Sequence, residues 1–126
     1  MEHKDILALP ADLMFASRIR ATATSLGIEV AVLARPAALL DAARQNPPRL
    51  VLVDLDARGW DPAHVVRDLK QDERTSSATV VAFVSHVRQD AIEAARAAGA
   101  DRVLARSAFI RELPAILSAG GHPTKA

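Results

Sequence analysis

The chain has 126 residues, half of them apolar and a quarter charged, with a net charge of +1. This length and composition predict one globular domain, and the near-zero net charge gives no global field that favours DNA, membranes or acidic substrates. The absence of cysteine excludes disulfides, thiolate metal sites and cysteine nucleophiles.

Three further properties narrow the class of protein. Met1 is followed by four polar residues, so no apolar signal-peptide core begins the chain, and no apolar run is long enough to cross a bilayer. Aromatic residues are limited to three Phe and one Trp, too few for a stacking platform. We therefore expect a cytoplasmic protein that binds neither a membrane nor nucleic acid directly.

Five short apolar runs predict β-strands, at residues 5–9, 28–33, 50–55, 79–84 and 102–105. The runs at 50–53 and 80–84 are continuous rather than alternating between apolar and polar residues. Continuous runs are typical of strands in a parallel sheet whose two faces are both covered by helices.

Helical patterns alternate with these runs, at residues 12–26, 36–45, 61–70, 89–98 and 109–118, and the polar segment after the third is expected to fray into a loop. The first pattern carries its buried stripe at helical spacing: Phe15, Ile19, Thr22 and Leu26. Pro114 lies inside the last pattern, where a proline would cost about 3 kcal/mol. We therefore expect Pro114 in the first turn of that helix, or a helix that starts late.

The fivefold strand–helix repeat predicts an α/β fold, a doubly wound parallel sheet with five helices on its two faces. The flavodoxin-like strand order 2-1-3-4-5 is the commonest arrangement of this kind at this size. It places a functional crevice at the carboxyl ends of the first and third strands, at residues 9–12 and 54–56. We expect a domain over residues 1–119 and a disordered tail over residues 120–126.

Three stretches resemble the response-regulator receiver domains, the CheY-like family. Residues 49–55, Arg-Leu-Val-Leu-Val-Asp-Leu, resemble the third strand, which ends in a phosphoacceptor aspartate. Residues 99–107 resemble the run through the fifth strand to a lysine, and residues 81–85 resemble the fourth strand with its switch hydroxyl. The resemblance covers nearly the whole chain. It implies a phosphoacceptor position at Asp54 and switch or phosphate-contact positions at Ser85 and Arg106.

The chain departs from the receiver pattern where the family binds magnesium. Pro10 and Ala11 stand at the positions of the acidic pair, and neither side chain offers the oxygen ligands that magnesium requires. Val103 stands at the aromatic switch position. The resemblance therefore implies a degenerate receiver, or pseudo-receiver, with no cofactor and weak or absent magnesium binding. We expect Asp54 to pair with Arg106, since arginine can hold a carboxylate with two parallel hydrogen bonds.

Other residues near the crevice allow two interpretations. Asp12 and Asp56 could replace the missing metal ligands, since Asp56 shares the strand face of Asp54 by the two-residue period. The simpler interpretation is that Asp12 caps the first helix and that Asp56 is a solvated aspartate. Trp60 either anchors a partner or covers the end of the core. A charged set flanks the last two helices and the fifth strand, and is either a solvated surface or a face for a partner or a homodimer: Arg88, Asp90, Glu93, Arg96, Asp101, Arg102, Arg111 and Glu112.

Three functions follow from these observations. The first is a stand-alone, non-enzymatic signalling module that contacts a histidine kinase or a downstream protein, because the chain ends soon after the fifth helix. The second is a true phosphoacceptor of a two-component phosphorelay, modified on Asp54. The third is a small flavodoxin-like ligand-binding protein or enzyme. Against the third, residues 9–12 contain no glycine-rich phosphate cradle, and no serine, histidine and acid converge at a recognisable spacing.

Overall fold

Five parallel strands form one sheet in the order β2-β1-β3-β4-β5. The computed structural model describes residues 5–85 and 88–119; the expected tail at 120–126 lies outside them. The strands are β1 (Ile6–Leu9), β2 (Ala31–Val32), β3 (Leu50–Asp54), β4 (Thr79–Val84) and β5 (Arg102–Ala105). The helices are α1 (Leu13–Leu26), α2 (Pro36–Gln45), α3 (Pro62–Gln71), α4 (Gln89–Ala98) and α5 (Arg106–Ser118). The predicted doubly wound, flavodoxin-like order is confirmed.

The two faces of the sheet each bury their own hydrophobic cluster, because successive strand residues point to opposite faces. On β3, Val51 and Val53 pack with α2, α3 and α4, whereas Leu50 and Leu52 pack with α1 and α5. This two-sided burial explains the continuous apolar runs in the sequence. Asp54 follows Leu52 by two residues, so the same alternation turns it toward the α1 and α5 side. No helix within the described ranges is long and apolar enough to cross a membrane.

The strand β2 is much shorter than the predicted run of residues 28–33. Only Ala31 and Val32 pair with β1. The backbone N–H of Ile28 donates instead to the carbonyl of Ala23, at 2.9 Å. The residues that follow α1 therefore close its carboxyl end before the chain can join the sheet, and β2 is left as a short edge strand.

The buried stripe of α1 differs from the predicted one at its carboxyl end. Asp12 is the N-cap, and its side chain accepts a hydrogen bond of 2.8 Å from the backbone N–H of Phe15. Phe15, Ile19 and Ala23 are buried, whereas Leu26 is 40 % exposed. Steps of four residues from Phe15 lead to Ile19 and Ala23, so the small Ala23 takes the place that Leu26 was predicted to fill.

The position of Pro114 contradicts the prediction for the last helix. The helix α5 begins at Arg106, three residues earlier than expected, and Pro114 lies in its interior. The proline has no N–H to donate to the carbonyl of Ile110, and its ring lies on an exposed face. Burial of Phe109 and Leu113 against the sheet stabilises the helix on both sides of this break.

Replacing Pro114 with alanine should therefore stabilise the fold. The variant Pro114→Ala restores the missing N–H, and we expect it to raise the free energy of unfolding by about 1–2 kcal/mol after allowance for the more flexible unfolded chain. Urea unfolding followed by circular dichroism measures this. Pro36 occupies the first turn of α2, where no N–H is needed. The control Pro36→Ala should therefore give no gain, and an equal gain in both variants would contradict the explanation.

Candidate functional site

The predicted site residues meet at a crevice of about 710 Å³ at the carboxyl ends of β1 and β3. Its lining residues are Ala11, Asp12, Asp56, Ala57, Arg58, Ser85, Arg88 and Arg106. Four of the five predicted positions belong to this lining. The fifth, Asp54, is fully buried and contacts three of the lining residues.

Asp54 ends β3 with both carboxylate oxygens engaged. Its Oδ2 accepts hydrogen bonds from the backbone N–H of Ala11 and from Nη2 of Arg106, each at 2.9 Å. Its Oδ1 accepts from the backbone N–H of Asp56 at 3.0 Å. Burial raises the pKa of Asp54 above its ordinary value, although these three donors act in the opposite direction.

Arg106 is the first residue of α5, and its guanidinium contacts three carboxylates. Nη2 lies 2.9 Å from Oδ2 of Asp54 and 3.5 Å from Oδ2 of Asp12, and Nε lies 3.4 Å from Oδ2 of Asp56. Burial disfavours the charged form, but the pKa of Arg106 is raised because Asp54, Asp56 and Asp12 together outweigh it. The predicted ion pair with Asp54 is present. It uses one hydrogen bond rather than two, because the guanidinium is shared among the three acids.

The guanidinium of Arg106 packs against the first ring of an aromatic stack. The guanidinium carbon lies 4.1 Å from the ring centroid of Phe15, a cation–π distance. The rings of Phe15 and Phe83 stack at 5.0 Å, and those of Phe83 and Phe109 at 4.0 Å. Sequence reasoning missed this arrangement, because the three phenylalanines belong to α1, β4 and α5. The only local signal was that Phe109 follows Arg106 by one helical turn.

Asp56 is not the solvated aspartate of the simpler interpretation. Because β3 ends at Asp54, Asp56 lies in the following loop, and its side chain is only 16 % exposed. Its Oδ2 accepts hydrogen bonds from both the backbone N–H and Oγ of Ser85, each at 3.0 Å. Asp12 is the predicted helix cap, and in addition it lies beside Arg106. Both acids therefore belong to the charge network of the crevice.

Trp60, Val103 and part of the charged set lie away from this network. Arg88 of that set is the exception, because it lines the crevice and its Nη1 lies 3.6 Å from Oδ1 of Asp56. Trp60 and Val103 are partly buried against the cluster formed by α2, α3 and α4, so Trp60 covers the core. Within the charged set, Arg102 pairs with Glu112, and Asp101 pairs with Lys70, each at 2.8 Å. These pairs favour a structural role for those residues.

An apolar patch beside the crevice was not predicted. Leu13 and Met14, in the first turn of α1, are 84 % and 80 % exposed. Leu13 also lines a pocket of about 260 Å³, together with Pro10, Val32 and Leu33. The buried face of α1 begins only at Phe15, which leaves the two preceding side chains in solvent.

No family model and no curated protein matches this sequence. Solved structures with the same fold are nevertheless numerous. The receiver domain of a sensor histidine kinase from Pseudomonas aeruginosa PAO1, with magnesium in its active-site cleft, matches with a TM-score of 0.80 and 22% identity, over 94% of this chain and 97% of that one. The receiver domain of NtrX from Brucella abortus matches with a TM-score of 0.80 and 18% identity, over 95% of this chain and 100% of that one. The phosphorylated cyanobacterial phytochrome response regulator RcpA matches with a TM-score of 0.75 and 20% identity, over 94% of this chain and 91% of that one.

This chain has the receiver fold. The sequence resemblance is thereby confirmed for the architecture, with Asp54 at the carboxyl end of the third strand. The three structures are each at most 22% identical to this chain, so the likeness is one of fold.

The crevice residues do not fit the magnesium ion that this fold holds elsewhere. Pro10 and Ala11 provide no side-chain oxygen, and the structure, over the residues it describes, places no group of three or more His, Asp or Glu side chains where they could hold a metal ion. The guanidinium of Arg106 already lies within 3.5 Å of all three crevice acids. A divalent cation would have to compete with this fixed positive charge.

Removing the guanidinium should destabilise the fold. In Arg106→Ala the buried carboxylate of Asp54 loses its charged partner, and we expect the free energy of unfolding to fall by about 3 kcal/mol. Chemical denaturation at neutral pH measures this. Arg111→Ala removes an exposed arginine from the same helix and is the matched control, with an expected change within about 0.5 kcal/mol. Equal effects of the two variants would show that the ion pair stabilises nothing.

The raised pKa of Asp54 predicts a pH dependence of stability. Between the ordinary value of 3.8 and the higher pKa of the folded state, the unfolded chain binds fewer protons at this group. The contribution of Asp54 to the free energy of unfolding therefore falls as the pH rises through that window. Asp54→Asn does not titrate, so its stability relative to the wild type should increase as the pH rises from 3.8 through that window. Denaturation experiments at several pH values measure the difference in the free energy of unfolding between the variant and the wild type. If this difference stayed constant or decreased with pH, the predicted direction would be wrong.

Proposed function

We propose that this chain is a pseudo-receiver, a signalling module that acts through protein contacts and is not switched by magnesium-dependent phosphorylation. The observation that carries the proposal is the contact of Arg106 with Asp12, Asp54 and Asp56. Phosphoryl transfer needs positive charge over the transferring group. Here the chain's own guanidinium holds the position among the carboxylates that a metal would need.

The burial of Asp54 supports the same proposal. A nucleophilic carboxylate has to approach the phosphorus of a donor to about 3–3.5 Å before it can attack. Asp54 has no exposed surface, and Ala11, Asp56 and Arg106 occupy its two oxygens. A phosphodonor would have to displace these donors before it reached the carboxylate.

The apolar patch supports a protein as the partner. Two large neighbouring side chains, Leu13 and Met14, are at least 80 % exposed, and exposed apolar patches often mark protein interaction sites. The partner class is a histidine kinase or a downstream signalling protein. The surface of α4, β5 and α5 stays a prediction for a second partner or a homodimer. The proposal includes no enzymatic activity, and places the cysteine-free chain in the cytoplasm.

One observation favours slow phosphorylation of Asp54 as the alternative function. The carboxylate ends β3 beside a permanent cation, which can stabilise developing negative charge on a phosphoryl group without a metal. Under this alternative the chain is a phosphoacceptor of a two-component system.

Intact-mass measurement separates the two functions. We expect wild-type protein incubated with acetyl phosphate and magnesium to gain no phosphoryl group, and calorimetric titration with magnesium to give no saturable heat. Phosphorylation that depends on Asp54 but not on magnesium would support the alternative. Rapid magnesium-dependent phosphorylation would contradict the proposal.

A restored variant tests the stated cause. Pro10→Asp and Ala11→Asp combined with Arg106→Lys return oxygen ligands to the site and replace the guanidinium by a smaller, more flexible cation. We expect this variant to bind magnesium measurably in the same titration. The double variant that keeps Arg106 is the matched control and should bind more weakly.

A further inference from the structure

The carboxylate of Asp56 gathers hydrogen-bond donors and positive charge from three other elements. Its Oδ2 accepts from the backbone N–H and Oγ of Ser85, each at 3.0 Å. Nε of Arg106 lies 3.4 Å from the same oxygen, and Nη1 of Arg88 lies 3.6 Å from Oδ1. The side chain is nevertheless only 16 % exposed. These contacts are more than a loop aspartate needs for solvation.

The donors and Asp56 all line the crevice. Ser85 follows β4, Arg88 is the N-cap of α4, and Arg106 begins α5. A backbone amide, a hydroxyl and two guanidinium groups together suit an oxyanion, because charge-assisted hydrogen bonds to such a group are strong. Asp56 lies in the loop between β3 and α3, and its carboxylate contacts these donors.

A remaining donor indicates that the carboxylate is an incomplete ligand for this set of donors. Nε of Arg106 is buried and, among the described residues, has no hydrogen-bond partner. The nearby Oδ2 of Asp56, at 3.4 Å, is already used by Ser85. A buried donor without a partner favours an anion with more oxygens, so an external oxyanion could satisfy the donors better if Asp56 were removed.

We infer that Asp56 is an internal anion that binds these donors and fixes β4, α4 and α5 in one arrangement without an external signal. The inference rests on the proposed pseudo-receiver function, since it explains how such a module keeps a single conformation for its partner. Ser85 is then held by a residue of the same chain. An external oxyanion is excluded because Asp56 already accepts both hydrogen bonds of Ser85 and places its negative charge beside Arg88 and Arg106.

The test is a metal-free titration with inorganic phosphate in the presence of a chelator. The backbone amide of Ser85 and Nε of Arg106 are followed by nitrogen-edited NMR. In the wild type we expect no saturable shift. In Asp56→Ala we expect both signals to move before phosphate is added, and then to shift saturably with a dissociation constant at least about tenfold below any wild-type value.

The matched control is Asp90→Ala. Oδ1 of Asp90 also lies near Arg88, 3.8 Å from its Nε, but the side chain of Asp90 is 84 % exposed. Among the described residues, no hydrogen bond or ion pair joins Asp90 to Ser85 or Arg106. This variant removes the same charge and should behave like the wild type. Phosphate binding that appears equally in both variants would overturn the inference, because it would reflect net charge alone.

A second variant covers the case in which Asp56→Ala does not fold. Asp56→Asn keeps the size of the side chain but removes its negative charge, and we expect the same direction of change with smaller shifts. The inference is overturned if either folded variant leaves the two signals at their wild-type positions. Rapid phosphorylation of the wild type with magnesium would refute the proposed function. It would leave this readout intact, because the titration contains no metal and measures the contact of Asp56 directly.

Discussion

The charge of Asp54 has to be compensated inside the protein, because the side chain has no contact with solvent. An unpaired buried carboxylate would cost several kcal/mol. The guanidinium of Arg106 supplies the opposite charge, and the backbone N–H groups of Ala11 and Asp56 supply the other hydrogen bonds. These donors come from the loop after β1, the loop after β3 and the start of α5. The carboxylate of Asp54 therefore connects three segments of the chain through its hydrogen bonds.

The aromatic core makes this arrangement specific to arginine. The planar guanidinium lies over Phe15, whose ring belongs to a stack with Phe83 and Phe109. Arginine combines such stacking with several hydrogen-bond donors, whereas lysine carries a compact charge on a flexible stem. An arginine at the position where the receiver resemblance implies a lysine is therefore not a conservative change. The guanidinium of Arg106 contacts three carboxylates and also lies over the ring of Phe15.

The receiver fold and the receiver chemistry are specified by different residues. The alternating apolar side chains of the strands form the two hydrophobic clusters that hold the sheet and its helices. None of the crevice residues Asp12, Asp56, Ser85 and Arg106 belongs to these clusters. The crevice residues can therefore differ while the architecture stays the same: the Pseudomonas domain holds magnesium in its cleft, and in this chain three acids surround the guanidinium of Arg106.

The sequence by itself determined the alternation of strands and helices and the two-sided core, because hydrophobic periodicity is a local property. The strand order and the position of the crevice followed from the commonest arrangement of such a repeat. The sequence also placed Asp54 opposite Arg106. Only the tertiary structure decided that Asp56 bonds to Ser85, that three acids share one guanidinium, and that α5 continues through Pro114. These outcomes depend on loop paths and on packing between residues as far apart as Asp12 and Arg106. Local patterns carry no information about which distant side chains will meet.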